Sequence, residues 1–230
     1  MHDKEVRKLT QLEDRHWWYA ERRHLLAQSI AGMPPGRALD IGAAGGGNTR
    51  VLRRAGWQTI ALEYGAEGAS VCRERGLEVM RADATALPLA PGSLDLVVAY
   101  DVLEHIEDDG AAVREVRRVL RPEGTFQIAV PCDPKLWSAH DVAVDHVRRY
   151  TRETLTDVLQ DNGFRLDELW SWNVLLRPAV QLRRRSSSGS DLTDLPRLVN
   201  AALHTVVRVE RLLPVRRLPG VTLMATARPV

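Results

Sequence analysis

The feature of this sequence that most constrains its fold is a short apolar run followed directly by glycines. Ala38–Ile41 has the length and composition of a buried strand, and four glycines follow between Gly42 and Gly47. Asn48–Thr49 then offers a helix start. A strand, a glycine loop and a helix in this order bring backbone N–H groups and a helix N-terminus close to a ligand. The pattern therefore predicts a binding site for a nucleotide-like cofactor.

Strand-like and helix-like segments alternate along most of the chain. Strands are predicted at 38–41, 58–62, 78–82, 94–100, 125–130, 164–172 and 220–227. Helices are predicted at 3–31 with a break near 16–19, and at 48–55, 66–75, 109–120, 151–162 and 196–213. Residues 132–150 are expected to form a long connection, and 183–194 a polar loop. Such alternation with short connections predicts a mostly parallel sheet with helices on both faces.

Length, charge and cysteine content exclude several classes of protein. The chain has 230 residues, which suits one α/β domain with appended pieces. No apolar run approaches the length of a membrane span, and the charged N-terminus lacks the apolar core of a signal peptide, so we expect no stable membrane insertion. Cys72 and Cys132 form no metal-like pair, which favours a reducing, cytoplasmic location. The formal net charge of +2 argues against a nucleic-acid partner.

Three further motifs identify the cofactor class by resemblance. Asp83-Ala84 follows the third predicted strand, Asp-Val-Leu-Glu-His-Ile (101–106) follows the fourth, and Arg-Val-Leu-Arg-Pro-Glu-Gly (118–124) follows the next helix. In this order and spacing they resemble the class I S-adenosylmethionine (SAM)-dependent methyltransferases, in particular the small-molecule group related to ubiquinone-pathway enzymes. The resemblance covers about residues 36–131.

That resemblance implies a Rossmann-like fold with a seven-stranded, mostly parallel sheet, a helical cap at 1–35 and a SAM-binding domain at 36–230. Segments 132–150 and 175–218, the latter a C-terminal helical insertion, would cover the acceptor. The implied cofactor is SAM, with S-adenosylhomocysteine as product. The residues implied to hold its methionine end are Asp40, Gly42, Ala44, Gly46 and Asp101. Glu63 would bind the ribose, Asp83 and Ala84 would read the adenine, and Tyr64 would flank it.

The acceptor side is predicted from the chemistry of methyl transfer. The reaction requires in-line alignment, and a hydroxyl acceptor also needs a group that takes its proton. We therefore expect a small-molecule acceptor methylated at oxygen, with nitrogen or carbon as alternatives. The candidate catalytic residues are His105, His146 and Asp101. The candidate substrate-binding residues are Trp18, Trp137, His140 and Tyr150.

Other interpretations stay open at this point. Asp101, Glu104 and His105, with His140 or His146, resemble the metal-binding pattern of small-RNA 2′-O-methyltransferases, although our expectation is that no metal binds. A nucleotide-dependent dehydrogenase would also use a glycine loop and an acidic residue, but the later motifs oppose it. A non-catalytic protein with this fold is a further alternative. The amphipathic helix at 196–213 leaves both a monomer and a homodimer possible.

Overall fold

A computed structural model describes residues 7, 10–184 and 194–230, whose strands form one seven-stranded sheet. The strands are β1 (Arg37–Ile41), β2 (Gln58–Glu63), β3 (Val79–Arg81), β4 (Leu94–Tyr100), β5 (Leu120–Pro131), β6 (Phe164–Trp172) and β7 (Thr222–Pro229). Their order across the sheet is β3-β2-β1-β4-β5-β7-β6. The first five are parallel, whereas β7 runs antiparallel to both β5 and β6. This confirms the predicted mostly parallel Rossmann-like sheet.

The helices lie between the strands at nearly the predicted positions. They are α1 (Trp17–Ser29), α2 (Gly47–Arg54), α3 (Ala66–Glu74), α4 (Asp109–Val119), α5 (Ala139–Ala143), α6 (Arg152–Gln160), α7 (Arg177–Arg184) and α8 (Arg197–Glu210). Helix α1 begins after His16, whose side chain accepts the N–H of Trp18. This cap accounts for the predicted break near residue 16.

Helices α5 and α7 correct two sequence expectations. Helix α5 lies within the predicted connection 132–150, and it has only five residues, too few to show a helical period. Helix α7 buries none of its residues and has only eight, which is too short for a clear helical period in the sequence. It includes Arg183 and Arg184, which were expected in a loop. The rest of that predicted loop (185–193) and parts of the predicted helix 3–31 lie outside the described residues.

Two apolar layers cover the two faces of the sheet. On one face, Val97 and Phe126 pack with residues of α4 and α6 such as Val113 and Leu155. The opposite face carries a second cluster, formed by Leu25, Leu26, Ala38, Leu96, Val98, Ala129, Trp172 and Val207 among others. Neighbouring strand residues thus point to opposite faces, and helices α1 and α8 cover the second face. None of the helices in the described part of the chain has the length and apolarity that a membrane span requires.

The chain turns sharply where the central strands β1 and β4 end. They are neighbours in the sheet, with Ile41 paired to Ala99. Directly beyond them, Gly42 has φ of 67° and Asp101 has φ of 58°. The left-handed region is open to glycine and tolerated by aspartate. The β1 crossover goes towards β2 and the β4 crossover towards β5, so a crevice opens between them, the usual ligand site of such sheets.

Gly46 provides a test of the loop that precedes α2. Its φ is 77°, and an added Cβ would overlap the Leu77 side chain, whereas Gly76 has φ of 67° and open space. We expect Gly76→Ala to lower the free energy of unfolding by about 1–2 kcal/mol from backbone strain alone. Gly46→Ala should lower it further because a steric overlap is added. Denaturant unfolding of both variants measures the difference, and equal losses would contradict this packing of the loop.

Candidate active site

A cavity of about 270 Å³ opens at the carboxyl ends of β1 and β4. Its walls come from the glycine loop, α1, the exit of β4, residues 131–149, α7 and the start of β7. The lining includes Trp18, Arg22, Gly42, Ala44, Asp101, His105, His140, His146 and Arg149. The fold therefore brings together the glycine loop and all three histidines that the sequence singled out.

Asp40, the fourth residue of β1, lies beneath the glycine loop and is 1% exposed. Thr49 Oγ1 donates a hydrogen bond to its Oδ2 at 2.6 Å. Its Oδ1 is buried without a hydrogen-bond partner among the described residues. Burial raises the pKa of Asp40 to about 7. The site thus holds a carboxylate oxygen that a cationic group could satisfy.

The next two strands end in the other predicted cofactor residues. Glu63, the last residue of β2, accepts the backbone N–H of Ala44, and burial raises its pKa. Tyr64 beside it is 76% exposed. Asp83 accepts the N–H and the hydroxyl of Thr85 at 2.8 and 2.7 Å through one oxygen, and Ala84 is buried. These four residues lie outside the cavity lining, along the same edge of the sheet.

Two histidines, His105 and His146, lie next to each other in the cavity wall, with ring centroids 4.8 Å apart. His105 closes the short 3₁₀ turn Leu103–His105, and its Nδ1 lies 3.2 Å from the carbonyl oxygen of Asp145. His146 Nδ1 lies 2.9 Å from Asp141 Oδ1. Because a carbonyl and an ionised carboxylate only accept, both Nδ1 atoms carry the proton. In the neutral rings Nε2 is then the nitrogen with the free lone pair.

Asp141 fixes this arrangement, although the sequence did not single it out as a site residue. Its fully buried carboxylate accepts Arg149 Nε at 2.8 Å and the N–H of Ser138 at 2.9 Å, as well as His146. Burial alone would raise its pKa, but these hydrogen bonds hold the pKa of Asp141 well below its ordinary value. The Ser138-x-x-Asp141 spacing of a capping box is the signal that could have found it.

Glu104 lies next to the histidine pair and is fully buried. Neither carboxylate oxygen has a hydrogen-bond partner in the described chain, and Oε1 is 3.8 Å from His146 Nε2. Burial, followed by the nearby charge of Asp101, raises the pKa of Glu104 far above its usual range. Burial and His146 lower the pKa of His105 to about 4. His105 and Glu104 therefore both favour their neutral forms.

Asp101 is drawn towards α1 instead of the histidines. Arg22 Nη1 donates to Asp101 Oδ1 at 3.1 Å, and the Arg22 guanidinium lies 5.0 Å from the ring centroid of Tyr100. The same guanidinium is 5.8 Å from the ring of Trp18, which lines the cavity. Arg22 thus joins the N-terminal helix to the exit of β4. Sequence reasoning did not identify it, because nothing local links residues so distant in the chain.

The structure separates the four predicted substrate-binding residues into two pairs. Trp18 and His140 line the cavity, whereas Trp137 and Tyr150 do not. Trp137 is 43% exposed. Tyr150 is 2% exposed, packs in the main core and donates its hydroxyl to Asp109 Oδ2 at 2.6 Å. The prediction for Tyr150 is therefore not supported, because its ring and hydroxyl are already used in the core.

Comparison with known proteins identifies relatives of this chain. The family description "Methyltransferase domain" matches residues 39–128. A Mycobacterium tuberculosis protein described as a probable S-adenosylmethionine-dependent methyltransferase is 31% identical over 69% of this chain and 59% of its own length. A Xanthomonas campestris ubiquinone biosynthesis O-methyltransferase is 28% identical over 64% of this chain and 70% of its own. The chain thus spans a little more than half the length of the mycobacterial relative.

A solved structure supports the fold. The phosphoethanolamine N-methyltransferase 2 of Haemonchus contortus, in complex with S-adenosyl-L-methionine, matches with a TM-score of 0.64 at 18% identity. The match covers 91% of this chain and 52% of that one. At this identity the likeness concerns the fold alone.

Asp40 makes a prediction about stability that needs no ligand. Its ordinary pKa is 3.8, and its raised pKa of about 7 means that the fold loses stability as pH rises between these values. Asp40→Asn removes this loss and can keep the Thr49 bond. The free energy of unfolding of the variant, taken relative to that of the wild type, should therefore be about 2 kcal/mol higher at about pH 8 than at about pH 5. Denaturant unfolding at both pH values measures this, and a pH-independent difference would contradict the raised pKa.

Proposed function

We propose, from the premise that this chain belongs to the class I S-adenosylmethionine-dependent methyltransferases, that it methylates a hydroxyl oxygen of a small molecule. The observation that carries the proposal is the placement of His105 and His146. Both histidines line the cavity that the glycine loop also lines, and the contacts of their Nδ1 atoms leave Nε2 available. A cavity of about 270 Å³ suits a small acceptor. The likeness to a ubiquinone biosynthesis O-methyltransferase also supports oxygen as the acceptor atom.

The residues present fit SAM. The unpartnered, buried Oδ1 of Asp40 suits the α-ammonium group of its methionine end, beside the loop from Gly42 to Gly46. Glu63 would bind the ribose hydroxyls. Asp83 has one oxygen that no Thr85 bond uses, which suits the adenine amine, with the Ala84 backbone and Tyr64 alongside. When bound, SAM supplies a methyl group that its sulfonium activates for transfer.

The residues of the acceptor side then have distinct tasks. His105 and His146 assist the loss of the hydroxyl proton through their Nε2 atoms. Asp141 holds His146 in the required tautomer. Trp18 and His140 contact the acceptor, while Asp101, held by Arg22, positions the groups between cofactor and acceptor. Helices α1 and α7 keep water from the cavity.

Glu63 provides the test of cofactor binding. Calorimetric titration with S-adenosylhomocysteine should show binding by the wild type. Glu63→Gln should weaken it about 10- to 100-fold, because hydrogen bonds to a carboxylate are stronger than those to an amide. Glu74→Gln on the exposed surface of α3 is the matched control and should leave affinity unchanged. A folded protein that does not bind the ligand would exclude the proposed function.

Trp18 and Trp137 provide a matched pair for acceptor binding. Acceptors are first identified by transfer of a labelled methyl group from SAM to a panel of phenols, sugars and lipid alcohols. Trp18→Leu should then raise the acceptor KM about 10-fold or more through lost apolar contact, with S-adenosylhomocysteine affinity unchanged. Trp137→Leu should change neither quantity, since that ring lies outside the cavity. The reverse pattern would place the acceptor elsewhere.

A further inference from the structure

The carboxyl group of Glu104 is buried without a hydrogen-bond partner among the described residues. Burying such a group without partners is costly, so native proteins pair it or use it to bind a cation. The His146 ring lies beside Glu104, with Nε2 3.8 Å from Oε1, which is too far for a hydrogen bond. Glu104 therefore has capacity to bind a ligand.

The side chains around Glu104 have the chemistry of a metal site. One potential ligand atom from each of Glu104, His105 and His146 lies within 4.8 Å of the other two. A single ion at usual bond lengths of about 2.0–2.2 Å can bridge atoms at such separations after small side-chain adjustments. Two imidazoles and one carboxylate are a common ligand set for first-row transition metals that keep open positions.

The hydrogen bonds behind the two histidines strengthen this interpretation. His146 donates a hydrogen bond from its Nδ1–H to the Asp141 carboxylate, and His105 donates one from its Nδ1–H to the carbonyl oxygen of Asp145. Metal-binding histidines almost always donate their second nitrogen to a carboxylate or carbonyl in this way, which orients the ring and makes Nε2 a better ligand.

We propose that Glu104, His105 and His146 bind one divalent first-row transition-metal ion, such as Zn²⁺ or Mn²⁺. The ion would compensate the buried carboxylate. Because both histidines line the cavity, its open positions would face the acceptor, and a hydroxyl there would lose its proton more readily. This consequence rests on the proposed function, whereas binding of the ion does not. It departs from the sequence expectation that no metal binds.

The ligand set differs from the sequence pattern that suggested it. Asp101 belongs to that pattern, but its carboxylate is paired with Arg22. The ring centroid of His140 is 6.1 Å from that of His146, and His140 is not part of the cluster of three. His140 therefore gives a matched control: a cavity histidine next to the site but outside it.

Metal binding is tested on full-length protein treated with a chelator and then dialysed. Calorimetric titration with Zn²⁺ should show one tight site, and Co²⁺ should produce visible d–d absorption bands. Glu104→Gln, His105→Asn and His146→Asn should each weaken Zn²⁺ binding at least about 10-fold and remove the Co²⁺ bands. His140→Asn should retain both signals.

A second measurement separates ligand loss from misfolding. Glu104→Gln replaces the buried carboxyl group with an amide of the same size, so the metal-free variant should melt no lower than metal-free wild type. Zn²⁺ should raise the melting temperature of the wild type but not of the variant, because only the wild type binds the ion. A general defect in folding would instead lower the melting temperature of the metal-free variant.

The inference is overturned if the wild type binds no Zn²⁺, or if Glu104→Gln binds it as tightly as the wild type. Loss of the Co²⁺ bands in His140→Asn alone would likewise overturn this ligand set. S-adenosylhomocysteine binding is measured on the same samples. S-adenosylhomocysteine binding without metal binding refutes only the metal site. Metal binding without S-adenosylhomocysteine binding refutes the proposed function and leaves the metal site intact.

Discussion

The buried carboxylate of Asp141 is the interaction on which the acceptor side of the cavity depends. A carboxylate removed from water must be given donors, and three converge on it, from Ser138, His146 and Arg149. Arg149 also donates to the carbonyl oxygen of Cys132, just beyond β5. The solvation requirement of one charge thus fixes α5, the orientation of His146 and the attachment of this segment to the sheet.

A second buried contact links the N-terminal helix to the same edge of the sheet. Arg22 has a side chain only 4% exposed, pairs with Asp101 and stacks near Tyr100. Asp101 itself adopts a left-handed backbone directly after β4. Helix α1 consequently brings Trp18 to the cavity that Asp141 organises from the opposite side. Segments that are far apart in the sequence thus meet at one edge of the sheet, where Arg22 pairs with Asp101 and Arg149 pairs with Asp141.

The sequence predicts the parts of this protein that depend on local pattern. The apolar runs predict the strands, and the glycine loop with Glu63 and Asp83 marks the strand ends that line one edge of the sheet. It does not predict which way a side chain faces in an irregular segment. His146 and Tyr150 belong to one run, yet His146 faces the cavity while Tyr150 enters the core, because Tyr150 bridges to Cys132. Asp141 and Arg22 were missed for the same reason: their roles arise from tertiary contacts.

The Asp141–His146 pair alone does not decide how a hydroxyl is activated, because a general base and a metal ligand both need Nδ1 protonated and Nε2 free. Glu104 distinguishes the two. A histidine base is already oriented by Asp141, whereas Glu104 lies 3.8 Å from His146 Nε2 without a hydrogen-bond partner among the described residues. Its oxygen adds a third potential ligand atom to those of the two histidines. This geometry is the strongest physical argument that the cluster binds metal.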